Sequence, residues 1–139
     1  MNEIYTMIIK LKYFCNCNEN RISSFCHISS AELRGISVFG NNQRLTCSEL
    51  AEKINLSPSR VSRITDNLAS KGYLTRQIPE HDRRTTLLCL TKKGVKIKDK
   101  INREQEHFEQ LLSSKLSAQE IELIKTGLKK LESVLVNNK

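Results

Sequence analysis

Four arginines carry the chemistry most open to reading in this 139-residue sequence. Arg60 and Arg63 stand close to one helical turn apart in SPSRVSRI, and Arg83 and Arg84 are adjacent in EHDRRT. A guanidinium can donate to both major-groove acceptors of a guanine, which is worth roughly 1–3 kcal/mol of discrimination, or it can neutralise a phosphate. Ser59 and Ser62 are small enough to let a helix approach base edges. Ser57 and Ser59, at the start of that helix, suit a phosphate oxygen. Ser48, on the preceding segment, is a candidate of the same kind.

Thiols are the second group. Cys15, Cys17 and Cys26 fall within 12 residues and are followed by His27. Thiolates are soft ligands for zinc, copper(I) or an iron–sulfur cluster, and they are also the reacting groups of redox sensors. The spacing C-x-C-x8-C-H lacks the paired C-x-x-C of zinc knuckles. On one helix Cys15 and Cys17 would point about 200° apart. Either the helix breaks before Cys15, or one of the three stands aside. Packing as a small hydrophobe is the competing reading for each, so sensor, metal site and packing all stay open and the cofactor is unknown. Cys47, at the start of a helix, reads as a tolerated small residue, and Cys89 receives no role. His81 is expected in solvent on a loop, and His107 on a solvated helix face.

Enzyme motifs are missing. The sequence holds no G-x-S-x-G, H-E-x-x-H, Walker loop or dinucleotide fingerprint, and the adjacent Cys26 and His27 do not make a nucleophile pair.

The elements that must position these side chains announce themselves by their caps. Ser29–Glu32, Thr46–Glu49 and Ser117–Glu120 each have capping-box spacing, so helices are expected to start near residues 30, 47 and 118. Ser57-Pro58 opens another, with Pro tolerated at the first helical position. Ile4, Met7, Ile8, Leu11 and Phe14 form a first helical stripe, after which residues 15–27 are less periodic. Val61, Ile64 and Leu68 define the buried face of the segment that carries the arginines, and Gly72 ends it. Two strands, 73–78 and 85–90, should flank a basic turn at 79–84. Thr91 caps a long helix through Ile97, Ile101, Phe108, Leu111 and Leu112. In the last helix, Ile121, Ile124, Leu128, Leu131 and Leu135 are spaced 3, 4, 3, 4 and need a partner surface.

Bulk properties agree with a polyanion partner. Lys and Arg number 23 against 15 Asp and Glu, a net charge of +8, which favours nucleic acid first and an anionic membrane surface second. There is no Trp and few aromatics, which disfavours single-strand modules that stack bases. No apolar run approaches the ~18 residues of a membrane span, and the first residues make a poor signal peptide. A cytoplasmic chain with mainly reduced thiols and no membrane partner is the expectation.

The resulting fold class is mainly α with a small β-wing: a winged helix-turn-helix core. The segment 45–94, LTCSELAEKINLSPSRVSRITDNLASKGYLTRQIPEHDRRTTLLCLTKKG, resembles the core of the MarR family of bacterial regulators. The Asp82-Arg83-Arg84 element followed by Leu90-Thr91-x-x-Gly94 is its most specific part. The resemblance implies one domain over 1–139, with residues 29–94 as the DNA-binding core and 1–28 and 95–139 as dimerisation helices. It implies a homodimer on a pseudo-palindromic double-stranded operator, usually a repressor, relieved by a small-molecule effector, a metal or thiol oxidation. It also implies that Arg84 enters the minor groove, braced by Asp82. The alternative reading is a winged-helix protein-interaction module that no longer binds DNA, against which the four arginines stand.

Overall fold

Helix α1 (Glu3–Phe25) runs unbroken through the cysteine segment in this computed structural model, which describes residues 2–138. It is followed by α2 (Ser30–Ser37), β1 (Arg44–Thr46), α3 (Cys47–Ile54), α4 (Pro58–Ser70), β2 (Leu74–Gln77), β3 (Leu87–Leu90), α5 (Lys92–Lys115) and α6 (Ala118–Val136). Two compact units divide the chain, one extending to Asn102 and the other beginning at Arg103.

The helix starts follow from side-chain chemistry. Ser29, Thr46 and Ser117 each accept from the amide of the Glu three residues on, and Glu32, Glu49 and Glu120 accept from the cap residue's amide. Both groups satisfy donors that a helix end otherwise leaves orphaned. The resulting helices open at Ser30, Cys47 and Ala118. Left-handed residues stand at or just beyond the ends of three helices. Asn55 (φ 55°) closes α3, His27 (φ 56°) follows the end of α1, and Gly72 (φ 79°) turns the chain out of α4. Asn accepts this conformation at modest cost because its short polar side chain bonds locally.

The sheet has three antiparallel strands in the order β1-β3-β2. Leu45 and Arg76 lie opposite Leu88, and Leu74 lies opposite Leu90. The two wing strands are shorter than the sequence suggested, and β1 was not anticipated. Three residues overlapping a helix cap give too little alternation to read, although Leu45, between polar neighbours, is buried. Together with Leu88 it packs into a core that also holds Ile22, Ile36, Phe39, Leu50, Val61 and Leu68. Each such side chain gains roughly 1.5–3 kcal/mol by leaving water.

α5 ties the core together at its base. Lys93 donates to the carbonyl of Lys71, the residue that ends α4, at 2.9 Å. Lys98 donates to the Phe39 carbonyl just beyond α2, and Lys100 donates to the Phe25 carbonyl at the end of α1. Three ammonium groups from one helix thus meet the partly negative ends of three others, each contact worth about 0.3–1 kcal/mol.

The terminal helices differ from the core. On α1, Ile4 is 70% exposed and Tyr5, Leu11, Tyr13 and Phe14 are likewise open. On α6, Leu123 is 74% exposed, Ile124, Leu128 and Leu135 are exposed too, and no residue of the helix is buried. Among the described residues no helix is long and apolar enough to cross a membrane.

Candidate nucleic-acid interface

α4 sorts its side chains by its own period. Val61, Ile64, Thr65 and Leu68 are buried, so Ser59, Arg60, Ser62 and Arg63 are left on the exposed side. Ser57 caps the helix by accepting from the Arg60 amide at 3.4 Å, and its hydroxyl lies 3.3 Å from that of Ser59. Two hydroxyls therefore share one exposed corner at a helix N-terminus, an arrangement suited to a phosphate. Ser48 is exposed in the first turn of α3. The turn between α3 and α4 is fixed by Asn55, with the Leu56 amide donating to Ala51 at 3.2 Å. Gly35 on α2 approaches α4 closely: a side chain there would meet Ile64 and Leu68.

In the wing, Asp82 organises the backbone. Its Oδ1 accepts from the Arg84 amide at 3.0 Å and its Oδ2 from the Thr85 hydroxyl at 2.7 Å. These two bonds, that from Thr85 first, hold the Asp82 carboxyl below its usual range. Asp82 thus holds the main chain of Arg84 and not its guanidinium. Arg83, Arg84 and His81 are exposed. Among the described residues, the side chains of Arg60, Arg63, Arg83 and Arg84 have no ion pair or hydrogen bond. Arg34 and Arg76, in contrast, pair with Glu19 and Asp66.

The Leu90-Thr91-x-x-Gly94 element joins the wing to α5. Thr91 donates its hydroxyl to the Gly72 carbonyl at 2.6 Å and accepts from the Gly94 amide at 3.0 Å. Gly94 cannot carry a side chain, because a Cβ would collide with the Tyr73 carbonyl oxygen.

The cysteines are not gathered into one site. Cys15 and Cys17 lie exposed on the unbroken α1, while Cys26 is buried at its end. His27 follows as the exposed left-handed residue that closes the helix. Among the described residues no group of three or more His, Cys, Asp or Glu side chains could hold a metal ion. The Tyr13 phenol, one turn before Cys17, is held above its usual range by its interaction with that side chain. Cys47 is exposed at the start of α3, Cys89 is half-buried on β3, and His107 is exposed on α5.

Two charged pairs near the interface had no signal in the sequence. Lys71 donates to Glu32 at 2.7 Å, where Glu32 is buried and also closes the α2 capping box. Arg76 donates to Asp66 and, at 3.4 Å, to Thr65. Both pairs join residues on different elements, so no local spacing marks them.

The chain resembles known regulators in sequence and in fold. A family model described as "MarR family" matches residues 16–86, just over half of the chain. The HTH-type transcriptional regulator PapX of Escherichia coli is 32% identical over 87 residues, covering 63% of this chain and 53% of PapX. The uncharacterized HTH-type transcriptional regulator YdgJ of Bacillus subtilis is 29% identical over 97 residues, covering 70% of this chain and 59% of YdgJ. The chain thus spans little more than half the length of these curated relatives. In three dimensions it is similar to FabT of Streptococcus pneumoniae, whose crystal structure is in complex with DNA. That likeness has a TM-score of 0.81 and 29% identity, and it covers 99% of this chain and 96% of FabT.

Proposed function

The chain belongs to the MarR family, and on that footing we propose that it is a sequence-specific, double-stranded-DNA-binding transcriptional regulator. It acts as a homodimer on a two-fold related operator in the cytoplasm, and as a repressor by occupying that operator. Residues 29–94 read DNA. The segments 1–28 and 95–139 supply the dimer contacts, and a second copy covers the apolar faces exposed on α1 and α6.

One observation carries the reading. Arg60 and Arg63 on α4 and Arg83 and Arg84 in the wing are exposed, and among the described residues their side chains are unengaged. Guanidinium groups presented in this way suit guanine edges and phosphates, and the helix face that carries them is lined with small hydroxyl residues. Ser48, Ser57, Ser59 and Ser62 contribute phosphate and close-approach contacts. Asp82 sets the wing so that Arg84 reaches the minor groove. FabT, similar over nearly the whole chain, is a protein whose structure was solved with DNA. A module that had lost DNA binding would have no reason to keep these arginines unengaged.

Control of binding falls to a small-molecule effector or to oxidation of the exposed thiols Cys15 and Cys17. Cys26, being buried, belongs to packing rather than to sensing.

Single substitutions test the reading. Arg63→Ala and Arg84→Ala should each weaken binding to a duplex selected by the wild-type chain, by roughly 1–3 kcal/mol where a base contact is lost, with the helical circular-dichroism signal unchanged. Unaltered affinity in a folded variant would remove that residue from the contact surface.

A further inference from the structure

Arg76 differs from the other arginines near the interface. It stands on β2, and although its side chain is partly in solvent, its two hydrogen-bond partners lie on α4. One nitrogen serves the Asp66 carboxylate and the Thr65 hydroxyl, two consecutive residues of that helix. Thr65 is buried, and its hydroxyl in turn donates to the Ser62 carbonyl at 2.9 Å, nearer the N-terminal half of the helix. A continuous polar path therefore runs from the wing strand through Thr65 to the turn that carries Ser62 and Arg63.

An ion pair this exposed contributes little to stability. It can instead fix an angle. Leu74 on β2 and Leu68 on α4 are both part of the apolar core, and apolar packing is non-directional, so alone it constrains helix roll weakly. A guanidinium shared between two acceptors is more restrictive, because its donors are rigidly spaced and charge-assisted. The pair has a second consequence. Asp66 is an exposed carboxylate on the helix that faces DNA, where it would repel phosphates; beside Arg76 its charge is compensated.

We propose that Arg76 is a positioning residue that sets the roll of α4 against the wing, and so sets operator selectivity without touching DNA itself. This rests on the DNA-binding reading above. Base contacts depend on helix roll because bidentate bonds are directional, whereas phosphate attraction tolerates small rotations.

The test compares a duplex selected by the wild-type chain from a random pool with a scrambled duplex, across a range of salt. Arg76→Ala should lose about tenfold of the selected-over-scrambled ratio, the discrimination of one base contact. Affinity for the scrambled duplex and the slope of affinity against salt should stay at wild-type values. Arg76→Lys, which keeps the charge but not the rigid planar donor group, should lose part of the ratio. The exchanged pair, Asp66→Arg with Arg76→Asp, should regain most of it.

A fall of salt slope by about 0.9 per protomer in Arg76→Ala, with both duplexes weakened alike, would make Arg76 a phosphate contact and overturn the proposal. An unchanged ratio would overturn it as well. If the wild-type chain selects no duplex, the DNA-binding reading falls, and hydrogen exchange without DNA becomes the separate arm. There, faster exchange of the Ser62–Asp66 amides in Arg76→Ala, at little-changed melting temperature, is the expected result, and unaltered exchange overturns the tie.

Discussion

The hydroxyl of Thr91 donates to the carbonyl of Gly72 across 2.6 Å. This bond joins the start of α5 to the turn that ends α4, so α5 is anchored at the C-terminal end of α4. The Thr91 amide donates to the Tyr73 carbonyl at 3.0 Å, and Lys93 donates to Lys71 at 2.9 Å. A rotation of α5 about its own axis would therefore be felt first at residues 71–73.

Gly94→Ala tests how tight the junction is. The added methyl would press on the Tyr73 carbonyl, which is backbone and cannot swing aside. A loss of about 1–3 kcal/mol, the usual cost of overpacking, is expected by chemical denaturation. A variant as stable as the wild type would show that the junction yields.

The wing depends on the charge of Asp82. Its carboxyl is held below the ordinary range by the Thr85 hydroxyl and the Arg84 amide. A depressed folded value means that the contribution is fully present above the unfolded value of about 3.9 and is lost as pH falls through the lower folded one. Protection of the Arg84 amide from exchange should be flat between about pH 8 and pH 5 and decline only below that. Asp82→Ala should show low protection throughout; equal protection in this variant would contradict the turn's dependence on the carboxylate.

Thiol reactivity separates the two kinds of cysteine. Cys47 is exposed and Cys26 is 2% exposed. In the native protein a maleimide should modify Cys47 well before Cys26, which should react only as fast as the chain unfolds. Modification of Cys26 at the rate of Cys47, with the fold intact, would reopen its part in sensing.

Much of this architecture was legible residue by residue. The three capping boxes placed helix starts at Ser30, Cys47 and Ala118 because their bonds are local, three residues apart. The buried face of α4 followed from the spacing of Val61, Ile64 and Leu68. The continuation of α1 past Phe14 was not legible, since its apolar stripe gives way there to Cys and Asn. Later in that helix, contacts to α2 join Glu19 to Arg34 and Asn20 to Ser30. The pairs Glu32–Lys71 and Arg76–Asp66 were hidden for the same reason: they are set by tertiary approach and leave no periodic trace. In the candidate site, residue types showed which arginines could meet DNA, but only the fold showed that Arg76 is already engaged.

The most direct test of the account is a titration of the chain into a duplex it has selected from a random pool, with a scrambled duplex beside it. Two protomers should bind each selected duplex, about a thousandfold or more tighter than the scrambled one, with affinity falling steeply as salt rises. Equal affinity for both duplexes, or binding indifferent to salt, would contradict a dimeric reader of DNA sequence.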